Sequence, residues 1–166
     1  MQAVTIFGSN QGDRYGIICQ AVSVLAAEAG IVTGRSSVYE TAPWGFESSD
    51  FFLNQVVLFE TDMSPLRFLH RCLQTESGLG RIRTQGGFRY DSRPIDIDLL
   101  FFGSMVIRTP ELQVPHPRLC ERNFVLVPLA EVMPDFVHPV AGKTVACLLA
   151  ECRDTCAVHK IRGGEL

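Results

Sequence analysis

Lysine is nearly absent from this chain. Of fifteen basic residues only Lys143 and Lys160 are lysines, and the other thirteen are arginines. Net positive charge is missing too: the formal charge is −3, which argues against a protein built to coat nucleic acid. No apolar run approaches the roughly 20 residues of a membrane span. The opening "MQAVTIFGSN" has no basic n-region of the kind a secretory signal carries. These absences lead to the expectation of a cytoplasmic protein with no nucleic-acid or membrane partner.

The common nucleotide loops are also missing. "AGKT" (residues 141–144) resembles the end of a phosphate-binding loop, but the glycine required five positions before Gly142 is Val137. "SGLGR" offers two close glycines, yet Arg83 stands where a third would complete a dinucleotide fingerprint. There is no G-x-S-x-G elbow and no H-E-x-x-H. Any nucleotide is bound without these devices.

Paired C-x-x-C motifs are lacking as well, although six cysteines are present at 19, 72, 120, 147, 152 and 156. Cys147, Cys152, Cys156 and His159 are four potential ligands, but their spacing matches no common zinc pattern, and reduced thiols are the simpler expectation.

What the chain does have is the makings of one globular domain across residues 1–166. Its 46% apolar and 20% charged content is ordinary for a packed core. "AVTIF" (3–7) reads as a strand entering a Gly/Asn turn, and residues 17–29 carry apolar side chains at helical spacing. "IVTGRSSVYETAPWGF" is extended, and "FFLNQVVLFET" (51–61) is a strand by its β-branched and aromatic content. The connection between these two is too short for a helical crossover, so they are expected as antiparallel neighbours. "SPLRFLHRCLQTESGLG" is a helix with Pro65 in its first turn and Gly78/Gly80 at its end. "RPIDIDLLFFG" is a fourth strand, with "SMVIRT" expected to fold back on it as a hairpin. "NFVLVPLAEVM" and "KTVACLLAEC" form two late helices, and residues 153–166 are a tail with no assigned role. The order β-α-β-β-α-β predicts a ferredoxin-like α+β fold, helices packed on a mostly antiparallel sheet.

The chemistry concentrates in the fourth strand. Asp96 and Asp98, at i and i+2, share one face of an otherwise apolar strand, roughly 6–7 Å apart. Two buried carboxylates repel and need a cation. Arg81, Arg83, Arg89 and Arg93 precede them within a short stretch, and the guanidinium fork suits phosphate oxygens. Carboxylates for magnesium beside arginines for phosphate are what phosphoryl transfer uses. The alternative from these residues alone is an Arg–Asp network that closes a loop on the sheet. A second group, Thr41, Trp44 and Phe46 with Asn54 inside an apolar strand, offers aromatic surface and an amide able to read a heterocycle edge. His116, Arg118 and Arg122 add further potential phosphate contacts.

Taken in order, "GSNQGD", "SSVYETAPWGF", "FLNQVV", "ESGLGRIR", "RPIDIDLLFFG" and "VPHPRLCERNFVLVPLAEVMP" resemble the 6-hydroxymethyl-7,8-dihydropterin pyrophosphokinase family. The resemblance implies transfer of diphosphate from ATP to the hydroxymethyl oxygen of the pterin, with release of AMP, in folate biosynthesis. It implies two magnesium ions, arriving with ATP, on Asp96 and Asp98. Carried over by position, Arg81 and Arg93 join these aspartates as catalytic residues. Glu76, Arg81, Arg83, Arg89, Arg93, Ile97, His116 and Arg122 line the ATP side. Thr41, Ala42, Pro43, Trp44, Phe52, Asn54, Tyr90, Asp96 and Phe124 line the pterin side, Phe124 by stacking. The departure from the family pattern is at residues 90–92, where Tyr-Asp-Ser replaces a Trp-Gly-Pro run in a loop expected to close over substrate. A non-catalytic nucleotide- or pterin-binding module is the competing reading, and a monomer is the expected state. Without nucleotide the two aspartates are expected to be hydrated, with no ordered Arg93–Asp96 pair.

Overall fold

A computed structural model describes residues 1–42, 51–81 and 94–161. Strand β1 (Gln2–Ser9) leads into α1 (Arg14–Ala29), then β2 (Ile31–Arg35), β3 (Tyr39–Thr41) and β4 (Phe52–Glu60). Helix α2 (Pro65–Gly78), β5 (Asp96–Phe102) and the short β6 (Ile107–Arg108) and β7 (Gln113–Val114) follow. Helices α3 (Asn123–Val132) and α4 (Val145–Glu151) precede a last strand, β8 (Val158–Lys160).

The main sheet runs β5-β1-β4-β3-β8, with β2 also pairing β4, and every pairing in it is antiparallel. This is the expected ferredoxin-like α+β arrangement. Helices α1 and α2 cover one face, burying Ile18, Val22, Leu25, Phe68 and Cys72 against Phe7, Phe59, Ile97 and Leu99. Helices α3 and α4 cover the other, packing Val125, Leu126, Leu129, Val145 and Leu148 on Val4, Ile6, Val56, Leu58 and Leu100. Burial on both faces explains why β1 and β4 read as near-continuous apolar runs rather than alternating ones.

The extended segment before β4 is two strands, not one. The chain breaks step at Ser36, whose hydroxyl accepts the Val56 N–H at 2.9 Å, so β2 and β3 pair successive halves of β4. Helix α1 begins three residues earlier than the apolar spacing indicates, because Asp13 caps it by accepting from Gly16 N–H at 2.9 Å. "SMVIRT" does not fold back on β5. Ile107–Arg108 pairs instead with Gln113–Val114 in a separate two-stranded sheet, closed by Thr109, which both accepts from Leu112 N–H and donates to its carbonyl. Within the described part of the tail, β8 adds an edge strand to β3.

Candidate active site

The register of the central strands sets the site. Gly8 of β1 stands opposite Asn54 of β4 on one side and Asp96 of β5 on the other. Directly paired residues share a face, so Asn54, Gly8 and Asp96 form one row near the end of the sheet. Three strands at about 4.8 Å spacing put Asn54 and Asp96 roughly 10 Å apart, with no side chain between them. A Cβ on Gly8 would lie 3.3 Å from Asn54 Oδ1 and 3.8 Å from the Phe52 ring, so the glycine holds this gap open. Asp98 occupies the next row on the same face, opposite Ile6. Gly8 opens the motif "GSNQGD" yet is not among the expected site residues; a glycine within a strand is the signal for such close approach.

On the Asn54 side, Nδ2 donates to Thr41 Oγ1 at 2.9 Å, and both residues are buried. Burial without a partner would be costly for the amide, and this bond fixes which way it faces. Phe52 and Ala42 flank the pair. Pro43, Trp44 and Phe46 lie outside the described residues.

On the Asp96 side, the expectation of hydrated, unpaired aspartates is corrected: Arg81 forms ion pairs with both Asp96 and Glu76. The reason is local. Glu76 is buried, its side chain only 1% exposed, and an ionised carboxylate there requires a cation. Helix α2 ends through Leu79 and the positive-φ Gly80 (φ 91°), and Arg81 turns back to donate its N–H to the Glu76 carbonyl at 3.1 Å. Its guanidinium thus comes over Glu76 and reaches β5. Burial works to lower the Arg81 pKa, but Asp96 and Glu76 attract the charge more strongly and the pKa is raised. Glu76 Oε1 also accepts the Ile97 N–H at 2.8 Å, stitching α2 to β5. Ile97 itself is buried on the α1/α2 face, so its link to the site runs through Glu76. Arg83, Arg89, Tyr90 and Arg93 lie outside the described residues.

His116 and Arg122 approach from the α3 side. The His116 N–H donates to Leu100 O at 2.9 Å, tying the segment to β5. Burial, then the positive charge of Arg122, lower the His116 pKa to about 4, against the opposing pull of Asp96. The imidazole is therefore neutral at pH 7. Its Nδ1 accepts the Arg118 N–H at 3.3 Å, which leaves the proton on Nε2 as a donor. The Arg122 guanidinium carbon lies 5.5 Å from the centroid of the Phe124 ring, a cation–π contact that couples the two residues.

The six cysteines are free thiols, and among the described residues no cluster of three or more His, Cys, Asp or Glu side chains could hold a metal. No helix among them is long and apolar enough to cross a membrane. A cavity of about 560 Å³ lies apart from this row, lined by Asp13, Arg14, Glu40, Leu53, His159 and Ile161 among others.

Residues 4–134 match the family model described as 7,8-dihydro-6-hydroxymethylpterin-pyrophosphokinase. A relative from Porphyromonas gingivalis, named 2-amino-4-hydroxy-6-hydroxymethyldihydropteridine pyrophosphokinase, is 42% identical over 135 residues, covering 81% of this chain and 91% of its own. One of the same name from Methylorubrum extorquens is 43% identical over 145 residues, covering 87% and 89%. A crystal structure of Plasmodium falciparum HPPK-DHPS with pteroate superposes with a TM-score of 0.73 at 17% identity, over 90% of this chain. This chain spans 42% of that longer one, and the likeness concerns the fold. With the family model matched over most of its length and relatives above 40% identity, the chain belongs to the 7,8-dihydro-6-hydroxymethylpterin-pyrophosphokinase family of ATP-dependent pyrophosphokinases.

Proposed function

We propose that this chain transfers the terminal diphosphate of ATP to the hydroxymethyl group of 6-hydroxymethyl-7,8-dihydropterin, releasing AMP. The observation that supports this most is the row Asn54–Gly8–Asp96, which puts a heterocycle-reading amide and a paired-carboxylate site on either side of an open gap. A flat ring held at Asn54 points its substituent toward the aspartates. The pterin hydroxyl oxygen bonds to the β-phosphorus and its proton passes to solvent; the bond from that phosphorus to the α,β-bridging oxygen breaks, and AMP leaves with that oxygen.

Asp96 and Asp98 fit a hard divalent cation. They are two half-buried carboxylates on one face at the start of a strand, supplying oxygen ligands only. They would hold magnesium, two ions arriving with ATP in this reading, and bound there the metal would neutralise phosphate charge. The remaining work falls to the chain's own groups. Arg81, a permanently charged guanidinium held by Asp96 and Glu76, presents its fork to the phosphates, with Arg83, Arg89, Arg93 and Arg122 adding positive charge along the ATP side. Neutral His116 donates through Nε2 to a phosphate oxygen without adding a charge of its own. Thr41 and Ala42, with Pro43, Trp44 and Tyr90, edge the pterin, and Phe52 and Phe124 supply its aromatic walls. A loose transition state places little demand on a general base, and positioning with charge stabilisation carries the reaction.

The test is turnover of Asp96→Asn and Asp98→Asn. Each is expected to lower AMP release by at least about a hundredfold, the scale of losing a group that stabilises transition-state charge. Circular dichroism should stay unchanged. Near-normal turnover in both would overturn the assignment.

A further inference from the structure

The last described stretch, residues 152–161, lies beyond the matched segment 4–134, yet it meets the proposed pterin side at three points. The first is the start of α3. Arg122 occupies the cap position there, and its side chain makes no capping hydrogen bond. The missing acceptor comes from far along the chain. Asp154 Oδ2 accepts the Asn123 backbone N–H at 2.8 Å, and Asn123 Nδ2 donates back to the Asp154 carbonyl. The other carboxylate oxygen, Oδ1, accepts the Cys156 N–H at 2.9 Å, which fixes the Asp154 side chain in a local turn. A carboxylate at this place satisfies an orphan N–H and faces the positive end of the helix dipole.

The second point is Cys156, whose thiol lies 3.9 Å from the Ala42 carbonyl oxygen. The third is β8, where Val158 stands opposite Thr41, the partner of Asn54. Beyond these contacts the stretch is anchored by Ile161 N–H to Val38 O at 2.9 Å and by Lys160 to Glu131 of α3 at 2.9 Å. One short segment therefore braces the start of α3 and the end of β3, the two elements from which Phe124 and Thr41 project.

We infer that Asp154 is a positioning residue for the pterin half of the site, acting through Asn123 on Phe124. The inference rests on the proposed function, in which Phe124 walls the pterin. Helix α3 has other supports: Val125 and Leu126 N–H groups both bond to Arg122 O, and its apolar face is buried. Loss of Asp154 thus loosens the first residues of the helix while the rest stays packed. Most of the ATP side, with Arg81, Asp96 and Asp98, depends instead on α2 and β5, which the segment does not touch through any of these bonds; only Arg122 of that side adjoins Asn123.

Asp154→Ala, Asp154→Asn and Asn123→Ala are to be compared with the unaltered chain by calorimetry. The titrants are a non-transferable ATP analogue with magnesium, and then the hydroxymethylpterin added to that complex. Asp154→Ala is expected to weaken pterin binding about tenfold, the scale of a lost helix cap. ATP-analogue binding should fall clearly less, because Arg122 is the one ATP-side residue beside Asn123 and the others are held by α2 and β5. Asp154→Asn keeps an oxygen acceptor and should recover most of the loss. Parallel loss of both affinities, or an unchanged pterin affinity, would overturn the inference. If Asp154→Ala does not fold, Asn123→Ala decides, since it removes one side-chain donor only; unchanged pterin binding there overturns the inference equally. An unaltered chain that fails to bind the pterin overturns the proposed function and the role of Asp154 with it. Normal binding by chain and variants alike overturns the role of Asp154 alone.

Discussion

Asn54 donates its amide N–H to the hydroxyl of Thr41 at 2.9 Å across two paired strands, with both side chains almost fully buried. The bond orients the amide so that its oxygen looks toward Gly8. Thr41→Val keeps the shape and deletes the acceptor. A buried donor left unsatisfied costs about 1–3 kcal/mol, so the midpoint of urea unfolding should fall accordingly. The KM for the pterin should rise while the KM for ATP holds. Unchanged stability and unchanged pterin KM would show that the pair does not set the amide.

Gly8 gives a sharper test of the gap between Asn54 and Asp96. An added Cβ meets Asn54 Oδ1 at 3.3 Å, closer than ordinary contact, and Gly8→Val adds two further methyls to that space. Pterin binding is expected to fall at least about tenfold, or 1.4 kcal/mol, while ATP-analogue binding changes little. Calorimetry separates the two. Equal loss of both ligands would mean that the sheet itself has been disturbed.

His116 should titrate far from the usual histidine range. Burial, reinforced by Arg122, lowers its pKa from 6.5 to about 4, so the folded chain binds the proton less readily than the unfolded chain does. Stability from this group is complete above pH 6.5 and declines as the pH falls toward about 4. Imidazole carbon shifts followed by NMR should show no inflection for His116 between pH 6 and 7. An inflection near 6.5 would contradict its assignment as a neutral donor.

Glu131 governs a lower window. Burial acts to raise its pKa, but Lys160, Ser37 and Tyr39 together hold it down at about 2 from 4.5. The Ser37 N–H and hydroxyl, the Tyr39 hydroxyl and the Lys160 ammonium all donate to it at 2.7–3.0 Å. Because the folded pKa is depressed, this stabilisation is complete above about pH 4.5 and is lost as the pH falls through 2. Its size is screened by partial exposure of the side chain. Glu131→Gln should lower the thermal midpoint at pH 7 and flatten its decline between pH 4.5 and 2. A variant whose acid limb stays as steep as before would show that other carboxylates dominate.

Much of this architecture is legible in the residues themselves. Long apolar runs such as "FFLNQVVLFE" are strands buried on both faces, and Asp96 and Asp98 stand out because nothing else polar interrupts β5. The arginine that reaches Asp96 is harder to see. Four arginines lie between residues 81 and 93, and only the turn through Leu79 and Gly80 brings Arg81 back over Glu76. Strand β8 carries too little pattern in Val-His-Lys to announce itself; the open edge of β3 recruits it. Asp154 has no local signal, because the helix it caps starts thirty-one residues away in sequence. Gly8 carries a signal in principle, a glycine within a strand, that only the register of β4 and β5 turns into a gap.

The most direct measurement is the product analysis of the unaltered chain mixed with magnesium, ATP and 6-hydroxymethyl-7,8-dihydropterin. Diphosphate transfer predicts AMP and the pterin diphosphate in equal amounts, with no ADP and no free diphosphate. Saturable binding of ATP and pterin with no AMP formed would contradict it and mark the chain as a binding module.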